Sequence, residues 1–210
     1  MNTTIKKLSF LDFLKQCPDG KGIYELVNGE IVEVEATRAH KNVARFLLFT
    51  FNDEISRKGL DYIVDKDIVI RTVTASGQEQ GRRPDVGVVN ATLWNSNVLT
   101  YGAITEPIQL AVEVVSTNWE DDYIDKLDEY QRLGIPEYWI VDYLALAKRF
   151  RRKFASRSIL GNPKLPTVFV YQLIDGKYQV SCFKNSERIV SDTFPELELT
   201  VEQIYQASQI

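Results

Sequence analysis

The chain has 210 residues, 44% of them hydrophobic and 26% charged, a composition that suits one globular domain and excludes a disordered, collagen-like or membrane-spanning class. A formal net charge of −4 excludes coating of nucleic acid or an anionic membrane by bulk charge, so any such contact needs a local basic patch. With only Cys17, Cys182 and the single histidine His40, neither a disulfide framework nor a site built on two imidazoles is available, and chemistry must lean on Asp, Glu, Lys and a hard cation bound through oxygen.

In chain order, a short amphipathic helix is predicted over residues 8–14, followed by a turn at Cys17-Pro18-Asp19-Gly20. Asp12 interrupts that apolar stretch and no small-residue cleavage site follows, so it does not read as a targeting segment. No apolar run approaches the roughly 18 residues of a membrane span. A cytoplasmic protein without membrane contact is expected. Residues 23–27 and 30–35 flank Asn28-Gly29, the strongest two-residue hairpin signal. Within residues 37–58, Val43, Ala44, Leu47, Leu48, Phe51 and Ile55 recur at three- and four-residue spacing, and Gly59 closes the predicted helix. Three strand-like runs follow at 62–71, 84–89 and 108–115. A second helix is predicted from about 119 to 133, stopped by Gly134 and Pro136, and residues 137–141 read as a buried strand. Further on, residues 168–174 and 177–183 flank Asp175-Gly176 as a second hairpin, and Thr200 is placed to cap a short closing helix.

Three charged residues sit where charge is awkward. Asp85 follows Pro84 at the start of Val86-Gly87-Val88-Val89, and Glu113 lies inside Leu110-Ala111-Val112-Glu113-Val114-Val115. A carboxylate in an apolar run is costly unless it is paired or binds a metal. If the two strands are antiparallel neighbours, the start of one lies beside the end of the other and the carboxylates meet. Two adjacent carboxylates repel, and a divalent cation relieves the repulsion. On a helical wheel Tyr123, Ile124, Leu127, Tyr130 and Leu133 define an apolar arc. Lys126 is expected to be the only charged residue inside it, with Asp122, Asp125, Asp128, Glu129 and Arg132 outside. Taken singly, Asp85 also fits a turn residue, Glu113 a buried salt bridge and Lys126 a side chain reaching out to solvent.

Asp85 after Pro84, Glu113 in an apolar strand and an inward Lys126 together resemble the PD-(D/E)XK nuclease superfamily. The stretches Tyr24-Glu25-Leu26-Val27-Asn28-Gly29-Glu30, Arg83-Pro84-Asp85 and Val112-Glu113-Val114-Val115-Ser116 are more narrowly similar to the Uma-type family of bacterial proteins regarded as endonucleases. So are Lys126 with Tyr130 and Gly134, and Glu137-Tyr138-Trp139-Ile140-Val141-Asp142. The usual superfamily lysine position is Val115 here; the Uma-type family carries its lysine on the following helix, where Lys126 stands. The resemblance implies an α/β, restriction-endonuclease-like core (helix, three strands, helix, strand) with a mixed sheet flanked by helices and hairpins added at both ends. A single domain over 1–210 is expected, with 1–36 as the N-terminal hairpin extension, 37–142 as the catalytic core and 143–210 as C-terminal strands and short helix. The implied chemistry is hydrolysis of phosphodiester bonds in nucleic acid, with DNA the expected substrate. Asp85 and Glu113, with a main-chain carbonyl near Val114, would hold Mg²⁺ or Mn²⁺, and Lys126 would orient the attacking water or stabilise charge on the phosphate. The alternative is a catalytically silent relative that binds nucleic acid or protein.

Other residues carry weaker signals. Glu25, in a matching stretch, could reach the metal from the first hairpin or be an ordinary paired strand carboxylate. His40 lies on the apolar face of the first long helix and is expected to be a core or capping histidine, outside the catalytic set. Lys148, Arg149, Arg151, Arg152 and Lys153, interleaved with Phe150 and Phe154, read equally as a phosphate-tracking loop or a solvated surface. Phe46 and Phe49 form a second apolar side on the first long helix, which needs cover from the N-terminal hairpin or from another subunit, and a homodimer is expected.

Overall fold

Asn28 and Gly29 adopt φ of 54° and 87°, the left-handed pair that a tight hairpin turn needs. In the computed structural model, which describes residues 7–17, 22–96, 103–116, 120–146 and 165–209, this turn folds β1 (Ile23–Val27) back on β2 (Glu30–Val34). β1 also pairs with a later strand, at Leu26↔Gly81. The hairpin is thus the end of a five-stranded sheet that also contains β4 (Val69–Val73), β5 (Glu79–Arg82) and β7 (Ala103–Ile104), ordered β2-β1-β5-β4-β7. α1 (Phe10–Gln16), capped reciprocally by Ser9 and Asp12, packs Phe10 and Phe13 against Leu26 and Val69 of that sheet. Gly81 is where Phe13 comes close, since a Cβ there would lie 3.0 Å from its ring.

The larger sheet has six strands, β3 (Tyr62–Asp65), β6 (Val86–Asn90), β8 (Leu110–Val114), β9 (Glu137–Asp142), β10 (Thr167–Ile174) and β11 (Lys177–Lys184). Their order is β11-β10-β9-β8-β6-β3, with β8 and β9 parallel and the other neighbours antiparallel. α2 (Arg38–Lys58), capped by Thr37 and ended by Gly59 at φ 63°, buries Val43, Leu47 and Phe51 on one face of this sheet. α5 (Val201–Ala207), capped by Thr200, packs beside α2. The opposite face carries Ala111, Val115, Tyr138, Ile140 and Phe169, covered by a helical segment discussed below. α3 (Ala91–Asn95) is a single capped turn after β6. Among the described residues no helix is long and apolar enough to cross a membrane.

Two expectations change. The run 62–71 is not one strand: Asp67 N–H donates to Asp65 Oδ1 at 2.7 Å, closing a turn that sends β3 to the large sheet and β4 to the small one. Phe46 packs against the core, so of the second apolar side of α2 only Phe49 stays exposed. A single exposed aromatic needs no partner, and the argument for a homodimer loses its basis.

Candidate active site

β6 and β8 pair antiparallel with Val86 opposite Val112 and Gly87 opposite Ala111, so one further step of the register sets Asp85 opposite Glu113 on the same face. The Val114 N–H donates to Asp85 Oδ2 at 2.7 Å, and His40 Nε2 lies 2.7 Å from Asp85 Oδ1. The carboxylate is therefore held at the sheet end by β8 and, from the other face, by the first turn of α2. Its side chain is 25% exposed, whereas that of Glu113 is 2% exposed. Asp85 is the open side of the pair.

Lys126 enters from the covering helix. Its ammonium donates to Glu113 Oε2 at 2.9 Å and stands 3.4 Å from Asp122 Oδ1 and 3.6 Å from Glu25 Oε1. The second oxygen of Glu113 accepts from the Tyr130 hydroxyl at 2.7 Å. The helix begins as a π turn (Asp121–Asp125), in which the Lys126 N–H donates to Asp121 O, and continues as α4 (Lys126–Leu133). This corrects the wheel expectation, because Asp122 and Glu129 are buried as well as Lys126. The i→i+5 closure rotates Asp122 from the edge of the apolar arc toward its centre, alongside Lys126. Glu129 is buried because α4 lies between the two sheets and turns its other flank toward β4 and β5.

There Arg82, 1% exposed, donates to Glu129 at 2.8 and 2.7 Å and to Glu25 at 3.3 Å. Thr72 Oγ1 donates to the same Glu129 at 2.6 Å. Glu25 also accepts from the N–H of Arg83, the residue before Pro84-Asp85, at 3.0 Å. Glu25, the weaker candidate of the sequence, thus links Arg82, the chain entering Asp85, and Lys126. His40, expected to be a core or capping residue, is buried but bonds Asp85. Hydrophobic periodicity had no means to find Arg82 or Asp122; the i, i+4 spacing of Asp122 and Lys126 was the one available signal. The basic segment Lys148, Arg149, Arg151, Arg152 and Lys153 lies outside the described residues.

A family model described as "Putative restriction endonuclease", Uma2, matches residues 10–202. The chain belongs to the Uma2 family. A solved structure from Anabaena variabilis ATCC 29413, described as a "putative nuclease belonging to DUF820", aligns with a TM-score of 0.67 at 14% identity, covering 94% of this chain and 97% of its own. At that identity the likeness speaks for a shared fold, here restriction-endonuclease-like. Among curated proteins nothing matches the sequence.

In this Uma2 chain the buried charges do not balance at the site. Burial alone would lower the Lys126 ammonium, but Glu113, Glu25 and Asp122 together outweigh it and hold it well above its ordinary value. Burial raises the Glu113 carboxyl well above the usual range, offset in part by Lys126 and reinforced by Asp85, Asp122 and Glu25. Asp122 is pushed up to about 7 by burial despite the lysine beside it. One ammonium cannot neutralise this many carboxylates, so the cluster retains protons or takes up another cation. Among the described residues no group of three or more His, Cys, Asp and Glu side chains is arranged to hold a metal unaided. The donors of Asp85 and Glu113 nevertheless fit Mg²⁺ or Mn²⁺. They are hard oxygens at a partly open sheet end, and Mg²⁺ is commonly held by one or two carboxylates with water and substrate phosphate completing its shell.

Proposed function

We propose that this Uma2 protein hydrolyses phosphodiester bonds of nucleic acid, with DNA as the expected substrate and Mg²⁺ or Mn²⁺ as cofactor. The observation that carries this reading is the opposition of Asp85 and Glu113 at the end of β6 and β8, with Lys126 Nζ 2.9 Å from Glu113. The family description and the nuclease relative support it.

A divalent ion bound there would polarise a phosphate oxygen and make a bound water more acidic. The chain supplies the rest. Asp85, fixed by the Val114 N–H and His40, presents one carboxylate to the solvent side. Glu113 presents the second from the buried side, its orientation held by Tyr130. Lys126 keeps its proton because of the carboxylates around it and brings a positive charge to the phosphate as negative charge develops.

The test is incubation of purified protein with plasmid DNA, oligonucleotides and RNA, with Mg²⁺, Mn²⁺ or chelator, beside Asp85→Ala. Cleavage that needs the divalent ion and disappears in Asp85→Ala is the expected result. Cleavage that persists in chelator or in Asp85→Ala would sink the assignment, and a folded wild type that cuts none of the substrates would favour the silent-relative reading.

A further inference from the structure

α2 presents a stripe of cations to solvent. On a wheel of about 100° per residue, Arg38, Lys41 and Arg45 fall within about 60° of one another, opposite the buried Val43, Leu47 and His40. All three are exposed. Arg57, Lys58, Arg132 and Arg188 each face a carboxylate, whereas the exposed Lys177 does not. Among the described residues Arg38, Lys41 and Arg45 face none, and Arg45 bonds only the neutral Asn42, at 3.0 Å. The chain as a whole carries −4, so this is a local reversal of sign.

The stripe also runs against its helix. The first turn of α2 contains no acidic residue, and cations near the positive end of a helix of 21 residues are mildly unfavourable where they stand. A polyanion laid across the stripe relieves both the mutual repulsion and the unfavourable dipole. On the opposite side of the same turn His40 bonds Asp85 at 2.7 Å, so the stripe begins about one helix diameter, roughly 10 Å, from that carboxylate. From Arg38 to Arg45 the helix advances about 10 Å. At about 3.4 Å of rise per charge in one strand, that length matches roughly three successive phosphates. Phe49, 57% exposed and one turn past Arg45 on the same side, offers a ring on which a base can stack.

We propose that Arg38, Lys41 and Arg45 form a surface that binds the sugar–phosphate backbone of nucleic acid beside the sheet end where Asp85 is open. The proposal rests on the nuclease reading for its role, but binding can be measured without cleavage.

The experiment is fluorescence anisotropy in chelator with labelled duplex DNA, single-stranded DNA and RNA, over a salt series. Wild type is compared with Arg38→Gln/Lys41→Gln/Arg45→Gln and with Lys177→Gln, which alters an exposed lysine at the β10–β11 turn. The triple variant should bind at least 10-fold more weakly at moderate salt, and its log–log salt slope should fall by about 2 to 3. Lys177→Gln should bind like wild type. The three single variants, each lowering the slope by about 1, keep the test valid if the triple variant is unstable. A triple variant, or for want of it three single variants, binding with the wild-type slope would overturn this surface and leave the nuclease reading intact. Wild type that binds none of the three ligands would overturn both.

Discussion

Around Arg82 the guanidinium meets both oxygens of Glu129 and, through a third bond, Glu25, and Thr72 donates a further bond to Glu129 Oε2. Around Lys126 one ammonium stands among Glu113, Asp122 and Glu25, with Asp85 close enough to raise the Glu113 carboxyl further. Both clusters are buried and they share Glu25. They differ in balance: the first is a closed network whose acids are bonded to a cation that burial would discharge but Glu129 and Glu25 keep charged. The second holds an excess of acid and is open at Asp85. The first reads as a support between the sheets, and the second as a place where a cation is wanted.

The largest expected effect separates support from site. Arg82→Met should leave Glu129 buried without its partner and destabilise the fold by about 3–5 kcal/mol, read as a lower denaturant midpoint. Adding Glu129→Gln should recover much of that loss, as a double-mutant cycle measures. No recovery would mean that Arg82 does more than neutralise Glu129. Lys126→Met should be felt mainly in cleavage, lowered by about 10²–10³-fold. Glu113 keeps its Tyr130 bond and its raised carboxyl can take up a proton, so the protein stays folded and divalent binding remains measurable by calorimetry. Wild-type cleavage in this variant would remove Lys126 from the chemistry.

His40→Ala should weaken Mn²⁺ binding about 10-fold or somewhat more, since groups that orient a metal-binding carboxylate act at that scale. His40→Gln, which can still donate to Asp85, should restore part of it, whereas equal loss in both variants would count against an orienting bond. The smallest effect concerns Asp122. Its folded pKa of about 7 lies above its ordinary value, so in chelator its contribution to stability is fully present below the ordinary value and is lost as pH rises through about 7, with no further change above. Asp122→Asn should therefore melt several degrees higher than wild type at pH 8 and lose that advantage near pH 4. An unchanged difference across this range would show that Asp122 is not the group titrating.

Much of this was legible where local chemistry decides structure. Asn28-Gly29 and Asp175-Gly176 make the turns they encode, and Thr37, Gly59 and Thr200 end their helices where capping chemistry says they should. The antiparallel adjacency of the strands carrying Asp85 and Glu113, which the sequence reading supposed, is the pairing of β6 with β8. What escaped was written in polar residues whose burial depends on distant partners. β5, Glu79–Arg82, carries no hydrophobic signal, yet Gln80 and Arg82 are buried because α4 and β1 bring acceptors to them. The division of residues 62–71 between two sheets turns on a single Asp65 oxygen. The burial of Asp122 depends on a π turn that an ideal wheel leaves out.

Glu25 belongs to the small sheet, Glu113 to the large one, and Arg83 carries the chain from the first to the second while bonded to Glu25. Docking of the two sheets therefore adds Glu25 to the charges around Lys126. With the sheets undocked Asp85 would keep its bonds to the Val114 N–H and His40, while Lys126 would lose Glu25 and gain water. The surroundings of Lys126 are thus a local readout of whether the two sheets have docked.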